Sequence, residues 1–376
     1  MAQRSIIRVL VAAALFCISA GCGNRESRGP GGAGGEGTSG AERGARRLVL
    51  LNNGNSPFWD ACRLGLQEAA RDLKLSAANL AVVMEVNDGT VQGQIDRLRQ
   101  FSNMRDVAGV AISALDADNA AVAEEMRKLR ARGVQVICVD ADVDRSRFRD
   151  ARSYYIGTDN LSAGRELGAA ARRLLEARGS RGSYVQFVGR TGSHNAIERM
   201  GGFKEAAGAA YTEADRMADD TDRTRARENV RNAIRNHPDL VALVGIWSYN
   251  APAIVDVVRQ EHWREKLVIA TFDAEPIAVT QMAQGDIDVM VVQNPYEMGY
   301  QGVRLLRALI AGDRSEVQKM FPKEAEPGGD LYDTGLKLVV PDGESLLKRE
   351  MFGARTQFMT LTEFRRWLQE RGLTGS

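Results

Sequence analysis

The feature that most constrains this chain is an alternation. From residue 47 onward short apolar runs recur, among them "LVLLNN", "AVVMEV", "GVAISA", "VQVICVD", "SYYIGT", "SYVQFVG", "LVALVGIW", "LVIATFD" and "DVMVVQN". Between them lie segments with apolar residues at i, i+3 and i+4, such as "FWDACRLGLQEAARDL" and "GYQGVRLLRALIAG", the spacing of one helical face. Strands joined through helices by short connections pair in parallel and bury both faces of the sheet. The runs are too many for one comfortable sheet, and the pattern passes twice. The first pass ends in the polar "VDADVDRSRFRDARS" and the second starts at "YYIGTDN". The expected fold is therefore α/β, two similar doubly wound parallel-sheet domains. Their functional crevices lie beyond the carboxyl ends of the strands and face each other across one cleft. Near the end, "TGLKLVV" adds a strand, and an amphipathic helix is expected from Thr362 to Arg371, capped by Thr362.

The first residues belong to export rather than to the fold. "MAQRSIIR" is a short basic region and "VLVAAALFCI" an apolar one too short to span a bilayer. "SAGC" follows and resembles the lipobox of bacterial lipoproteins, with Cys22 as the residue to be lipidated. The usual Leu three places before the cysteine is Ser19 here, which leaves cleavage by the ordinary signal peptidase as the alternative. The Gly-rich stretch that follows, as far as residue 46, has no apolar period and reads as a flexible tether. Cys62 and Cys138 fall in apolar surroundings and read as buried thiols; no Cys/His cluster suggests a metal, and none is expected. A net charge of +1 provides no field to draw nucleic acid, and no such partner is expected.

Chemistry-bearing residues gather where strands end. They include Asn52, Ser56, Phe58 and Trp59 after the first strand, then Ser113 and Asp140. The second half adds Asp159, Arg199, Trp247, Phe272, Asp273 and Gln293. Aromatic rings cover the C–H faces of a sugar, while carboxylates, amides and guanidinium take its paired hydroxyls. Individually each has a plainer reading. Asp159 in "TDN" is a standard cap position, and His194, Asn195 and Glu198 are spaced like the start of a capped helix, the reading favoured for Asn195. Enzyme motifs are thin: no G-x-G-x-x-G follows a strand, no P-loop or G-x-S-x-G elbow occurs, and there are 3 histidines. No cofactor and no enzymatic activity are expected.

With these residues in order, the chain resembles the ribose/galactose-type periplasmic sugar-binding proteins of ABC transporters, whose fold is the type I periplasmic binding protein. "NSPFW" is similar to the segment whose aromatics sandwich the sugar, "VICVDAD" to the strand ending in a hydroxyl-binding Asp, and "GSHNAIERMGGF" to the segment with a sugar-binding Arg. "ATFDAEPIAVTQMAQGDI" and "VVQNPYEMGYQGV" resemble those carrying the ligand aromatic, Asp and Gln. The resemblance implies three crossings between lobes, near residues 157, 293 and 334. It divides the chain into a signal (1–22), a tether (23–46), a first lobe (47–157 plus 294–333), a second lobe (158–293 plus 334–345) and an extension with a helix (346–376). It also implies a monomer at the periplasmic or extracytoplasmic face, anchored through Cys22. Such a receptor would capture a neutral aldopentose or hexose by hinge closure and hand it to a membrane permease. Presentation of the ligand to a sensor kinase or chemoreceptor is the alternative. Ser56 and Ser113 stand where the family's ribose binders have Asn, Ala141 where they have Arg, and Trp247 where they have Asn, so a pocket unlike that for ribose is expected.

Overall fold

The computed structural model describes residues 44–376; the signal segment, Cys22 and the tether as far as residue 43 lie outside the described residues. The strands run β1 (Arg46–Leu51), β2 (Leu80–Glu85), β3 (Val107–Ile112), β4 (Gln135–Val139), β5 (Tyr155–Gly157), β6 (Gly182–Val188) and β7 (Tyr211–Ala218). They continue with β8 (Leu240–Gly245), β9 (Val268–Phe272), β10 (Val289–Val292), β11 (Leu331–Asp333), β12 (Leu336–Val340) and β13 (Thr356–Thr360). Two sheets result. The first has the order β11-β5-β4-β3-β1-β2 and the second β13-β12-β10-β9-β8-β6-β7. Every pairing is parallel except β10 with β12. Continuous apolar runs such as "VAGVAI" are buried along their whole length, as a sheet covered on both faces requires. Each sheet carries an apolar cluster on either face, so each lobe has its own core.

The chain passes between the sheets three times: after β5, after β10, and between β11 and β12. The crossings are stitched together. Thr158 Oγ1 donates to Gln293 Oε1 at 2.9 Å, tying the first to the second. The Thr334 amide donates to Gly157 O at 2.7 Å, tying the third to the first.

Two elements depart from the sequence reading. β7, "YTEADRMA", has no apolar alternation, and it survives as a half-exposed edge strand beside β6. The extension is part of the second lobe: β13 pairs along β12, and the helix Leu361–Glu370 drives Leu361, Phe364 and Leu368 into that lobe's core. Its cap is Thr360 rather than Thr362. Thr360 and Glu363 form a capping box, whereas the Thr362 hydroxyl donates to Asp342 Oδ2 at 2.9 Å. Cys62 and Cys138 are free, wholly buried thiols that belong to different core clusters, and burial pushes both thiols up.

In the second lobe the helices Asn160–Ala177 and His194–Ala207 lie backbone against backbone. A Cβ on Gly164 would stand 2.2 Å from Arg199 O, and one on Gly202 2.3 Å from Leu161 O, so only glycine allows this approach.

Candidate functional site

The strand ends meet at a cavity of about 310 Å³ between the lobes, at the small end of the roughly 300–1,000 Å³ typical of small-molecule sites. The turn after β1 builds its first wall. Asn52 Oδ1 accepts from the amides of Gly54 and Asn87 at 3.2 and 2.9 Å, which folds the chain back. Pro57 then leads into the helix Phe58–Asp72, starting with two rings set edge to face at 5.1 Å. Trp59 Nε1 donates to Asn53 Oδ1 at 3.2 Å, fixing the indole. Both rings are largely sunk in the first lobe's core and present only a part of themselves to the cavity.

Behind them, Asn53 Nδ2 donates to Ser113 Oγ at 3.1 Å, and that hydroxyl donates to Asp140 Oδ2 at 2.9 Å. Asp140 ends β4 with φ at 62°, the left-handed region that side chains other than glycine seldom adopt. Asp273 ends β9 in the other lobe with φ at 60°. Each lobe thus turns one carboxylate into the cavity at a backbone cost, and such strained positions concentrate at functional sites. Burial raises the Asp140 pKa against the pull of Arg199, and pushes that of Asp273 up to about 6. Gln293 donates to both Asp273 oxygens, at 3.1 and 3.0 Å, so the second crossing is tied to the carboxylate.

Arg199 lies between the two acids. Its Nε donates to Asn160 Oδ1 at 2.9 Å and its Nη1 to Ile246 O at 3.2 Å, while Nη1 stands 3.9 Å from Asp273 Oδ2. The guanidinium covers the Phe272 ring at 4.6 Å. Its Nη2 is buried and has no partner among the described residues. Trp247 forms the opposite apolar wall, its Nε1 donating to Asn195 Oδ1 at 3.2 Å.

Of the residues expected at the site, Ser56, Phe58, Trp59, Asp140, Arg199, Trp247, Asp273 and Gln293 line the cavity. Asn52, Ser113 and Phe272 stand one layer behind, holding the turn, Asp140 and Arg199 respectively. Asp159 has no place there. It is exposed and caps the helix Asn160–Ala177, accepting from the Ser162 amide at 3.1 Å, the plainer of its two readings. Asn195, read as a cap, faces the cavity instead, while Ser193 occupies the cap position.

Arg190, Arg223 and Tyr249 also line the cavity and were not singled out. Arg190 follows β6, a strand-end position that the same rule would have found. Arg223 follows β7, and without that strand its place was invisible. Arg223 is spoken for by a forked pair with Glu275, at 3.0 Å, and Tyr249 donates to Asp219, whose pKa burial lifts to about 6. The lobes also touch directly: Arg190 Nη2 donates to Gly89 O at 3.0 Å and Ser193 Oγ to Leu115 O at 2.6 Å. Among the described residues no group of three or more His, Cys, Asp or Glu could hold a metal ion. Among the same residues no helix is long and apolar enough to cross a membrane.

Two doubly wound lobes, three stitched crossings and a cavity at the strand ends define a type I periplasmic binding protein. The chain belongs to the periplasmic binding protein domain family, whose model matches residues 47–314. It is 23% identical over 297 residues to the D-allose-binding periplasmic protein of Escherichia coli, covering 77% of this chain and 91% of that one. It is 23% identical over 280 residues to the ribose import binding protein RbsB of Salmonella typhimurium, covering 73% and 87%. Among solved structures, an ABC transporter solute-binding protein from Burkholderia graminis in complex with D-arabinose superposes with a TM-score of 0.67 at 25% identity, covering 78% of this chain and 95% of that one.

Proposed function

We propose that this protein is an exported receptor that captures a neutral aldopentose or hexose between its lobes and delivers it to an ABC importer. The observation that carries the reading is the pair of buried carboxylates, Asp140 and Asp273, one from each lobe, with Arg199 and its unpartnered Nη2 between them. Carboxylates accept from hydroxyls and the guanidinium donates to ring or hydroxyl oxygens, while Phe58, Trp59 and Trp247 supply apolar surface for the C–H faces. Opening at the three crossings admits the sugar; closing brings both lobes' groups onto it and excludes water. The carboxylates serve as hydroxyl acceptors, so the reading assigns no catalytic group. It includes an anchor at Cys22, which detergent-phase partitioning of the native chain and of Cys22→Ser tests.

The principal test is a thermal-shift screen of residues 46–376 against D-allose, D-ribose, D-arabinose, other monosaccharides, amino acids and nucleosides. A specific sugar at 100 times its Kd should add about 2.7 kcal/mol. A shift from another class, with none from any monosaccharide, would overturn the reading.

A further inference from the structure

Beyond the helix Leu361–Glu370 the chain turns back across the second lobe, packing Leu373 against its core. Ser376 is buried, at 2% exposure, and exchanges two backbone hydrogen bonds with Ala274. Its N–H donates to Ala274 O at 2.9 Å, and its C=O accepts from Ala274 N at 2.7 Å. This reciprocal pair is that of an antiparallel ladder. The Ser376 hydroxyl reaches Gln293 O at 3.4 Å. Gly375 lets the segment come so close: a Cβ there would stand 2.6 Å from Ala274 O and 2.7 Å from Pro276 Cδ.

Ala274 sits between Asp273, which lines the cavity, and Glu275, which holds the lining residue Arg223. Asp273 precedes it in a left-handed conformation, which persists only where the surroundings hold it. Glu275 follows and carries the forked pair with Arg223. The third point of attachment, Gln293, is the second crossing and the donor to Asp273. The segment therefore grips both sides of the Asp273–Gln293 contact, and it lies beyond residue 314, where the family match ends.

We infer that Gly375 and Ser376 are positioning residues for ligand capture, a strap that holds the turn 273–275 and the crossing at Gln293 in binding geometry. The inference rests on the sugar-binding reading for its effect on affinity, but its structural content can be measured without a sugar. Two variants remove the strap, Gly375→Val and a chain lacking residues 374–376. Hydrogen exchange is followed at the amides of Asp273 and Gln293, which donate to Val291 O and Asp273 Oδ1 and not to the strap itself. Calorimetric titrations of the same proteins use D-allose, D-ribose and D-arabinose. Both amides should exchange at least tenfold faster in the variants, and whichever of these sugars binds the full chain should bind at least tenfold more weakly. A segment that merely caps the lobe would expose the Ala274 amide alone; unchanged exchange at Asp273 and Gln293 overturns the inference. If none of the three sugars binds the full chain, the ligand reading loses its support, and the exchange comparison by itself decides whether the strap positions Asp273.

Discussion

Replacing Asp273 with Asn should leave the sugar-free protein more stable and the receptor weaker. The carboxyl is 3% exposed, and burial lifts its pKa from 3.8 to about 6 in spite of Arg199 and Gln293. An acid whose folded-state pKa is raised binds more protons in the folded than in the unfolded chain across that window. Stability is therefore fully present below pH 3.8, falls as the pH rises, and is lost above about 6. A lift from 3.8 to about 6, with each tenfold change in proton affinity worth about 1.36 kcal/mol, comes to about 3 kcal/mol at pH 7. Asn keeps the shape and one acceptor for Gln293 but carries no charge to bury. Asp273→Asn should thus gain up to about 3 kcal/mol at pH 7 and nothing near pH 4, while losing charge-assisted bonds to sugar hydroxyls that contribute roughly 1.5–3 kcal/mol. Urea melts of both proteins between pH 4.5 and 7.5 isolate the Asp273 charge and its coupling to Asp140, because titrating groups that do not interact with Asp273 cancel in the difference. A gap that does not widen with pH, or an Asn variant less stable at pH 7, would refute the argument and show that Arg199 more than offsets the burial.

Gly189→Ala would place a Cβ 2.1 Å from Trp247 Cζ3, forcing the indole off its Asn195 contact; a loss of about 1–3 kcal/mol in denaturant melts and at least tenfold weaker sugar binding by calorimetry are expected. Arg199→Lys keeps the charge but cannot serve Asn160 Oδ1, Ile246 O and a ligand together, so about 1–3 kcal/mol of stability should go, along with sugar binding. Lys337, 3% exposed in β12, has its pKa lowered to about 7 by burial and by Arg371. A cation with a depressed pKa loses stability as the pH falls from about 10 towards 7, so Lys337→Met should melt higher than the parent at pH 6, with the gap closing towards pH 9.

How far the sequence spoke for itself depended on burial. β3 and β4 announce themselves because both of their faces are covered and every residue but Gln135, at the start of β4, is apolar. β7 gave no such signal, since an edge strand with one wet face tolerates Glu213, Asp215 and Arg216. Its loss hid Arg223, whose position has meaning only once the preceding strand is known. Asp140 and Asp273 were found by place alone; nothing local reveals that both sit at positive φ. Asp159 and Asn195 exchanged roles for one reason. A short polar residue at a helix start suits a cap and a ligand equally, and only the direction of the lobe beyond decides. The strap at Ser376 rests on backbone hydrogen bonds, which no side-chain pattern records.

The glycine-lined contact between the helices Asn160–Ala177 and His194–Ala207 has a mechanical consequence. The first helix starts directly after the Thr158–Asp159 crossing, and its Asn160 grips Arg199 on the second. With no side chains to compress at Gly164 and Gly202, the pair should move as one body when the lobes swing about the crossings, carrying the guanidinium with it. On the receptor reading proposed above, force exerted by a bound molecule on Arg199 should reach the crossing with little slack. A bulkier residue at position 202 would act as a spring in that linkage, so that the molecule is still held while the lobes no longer answer to it.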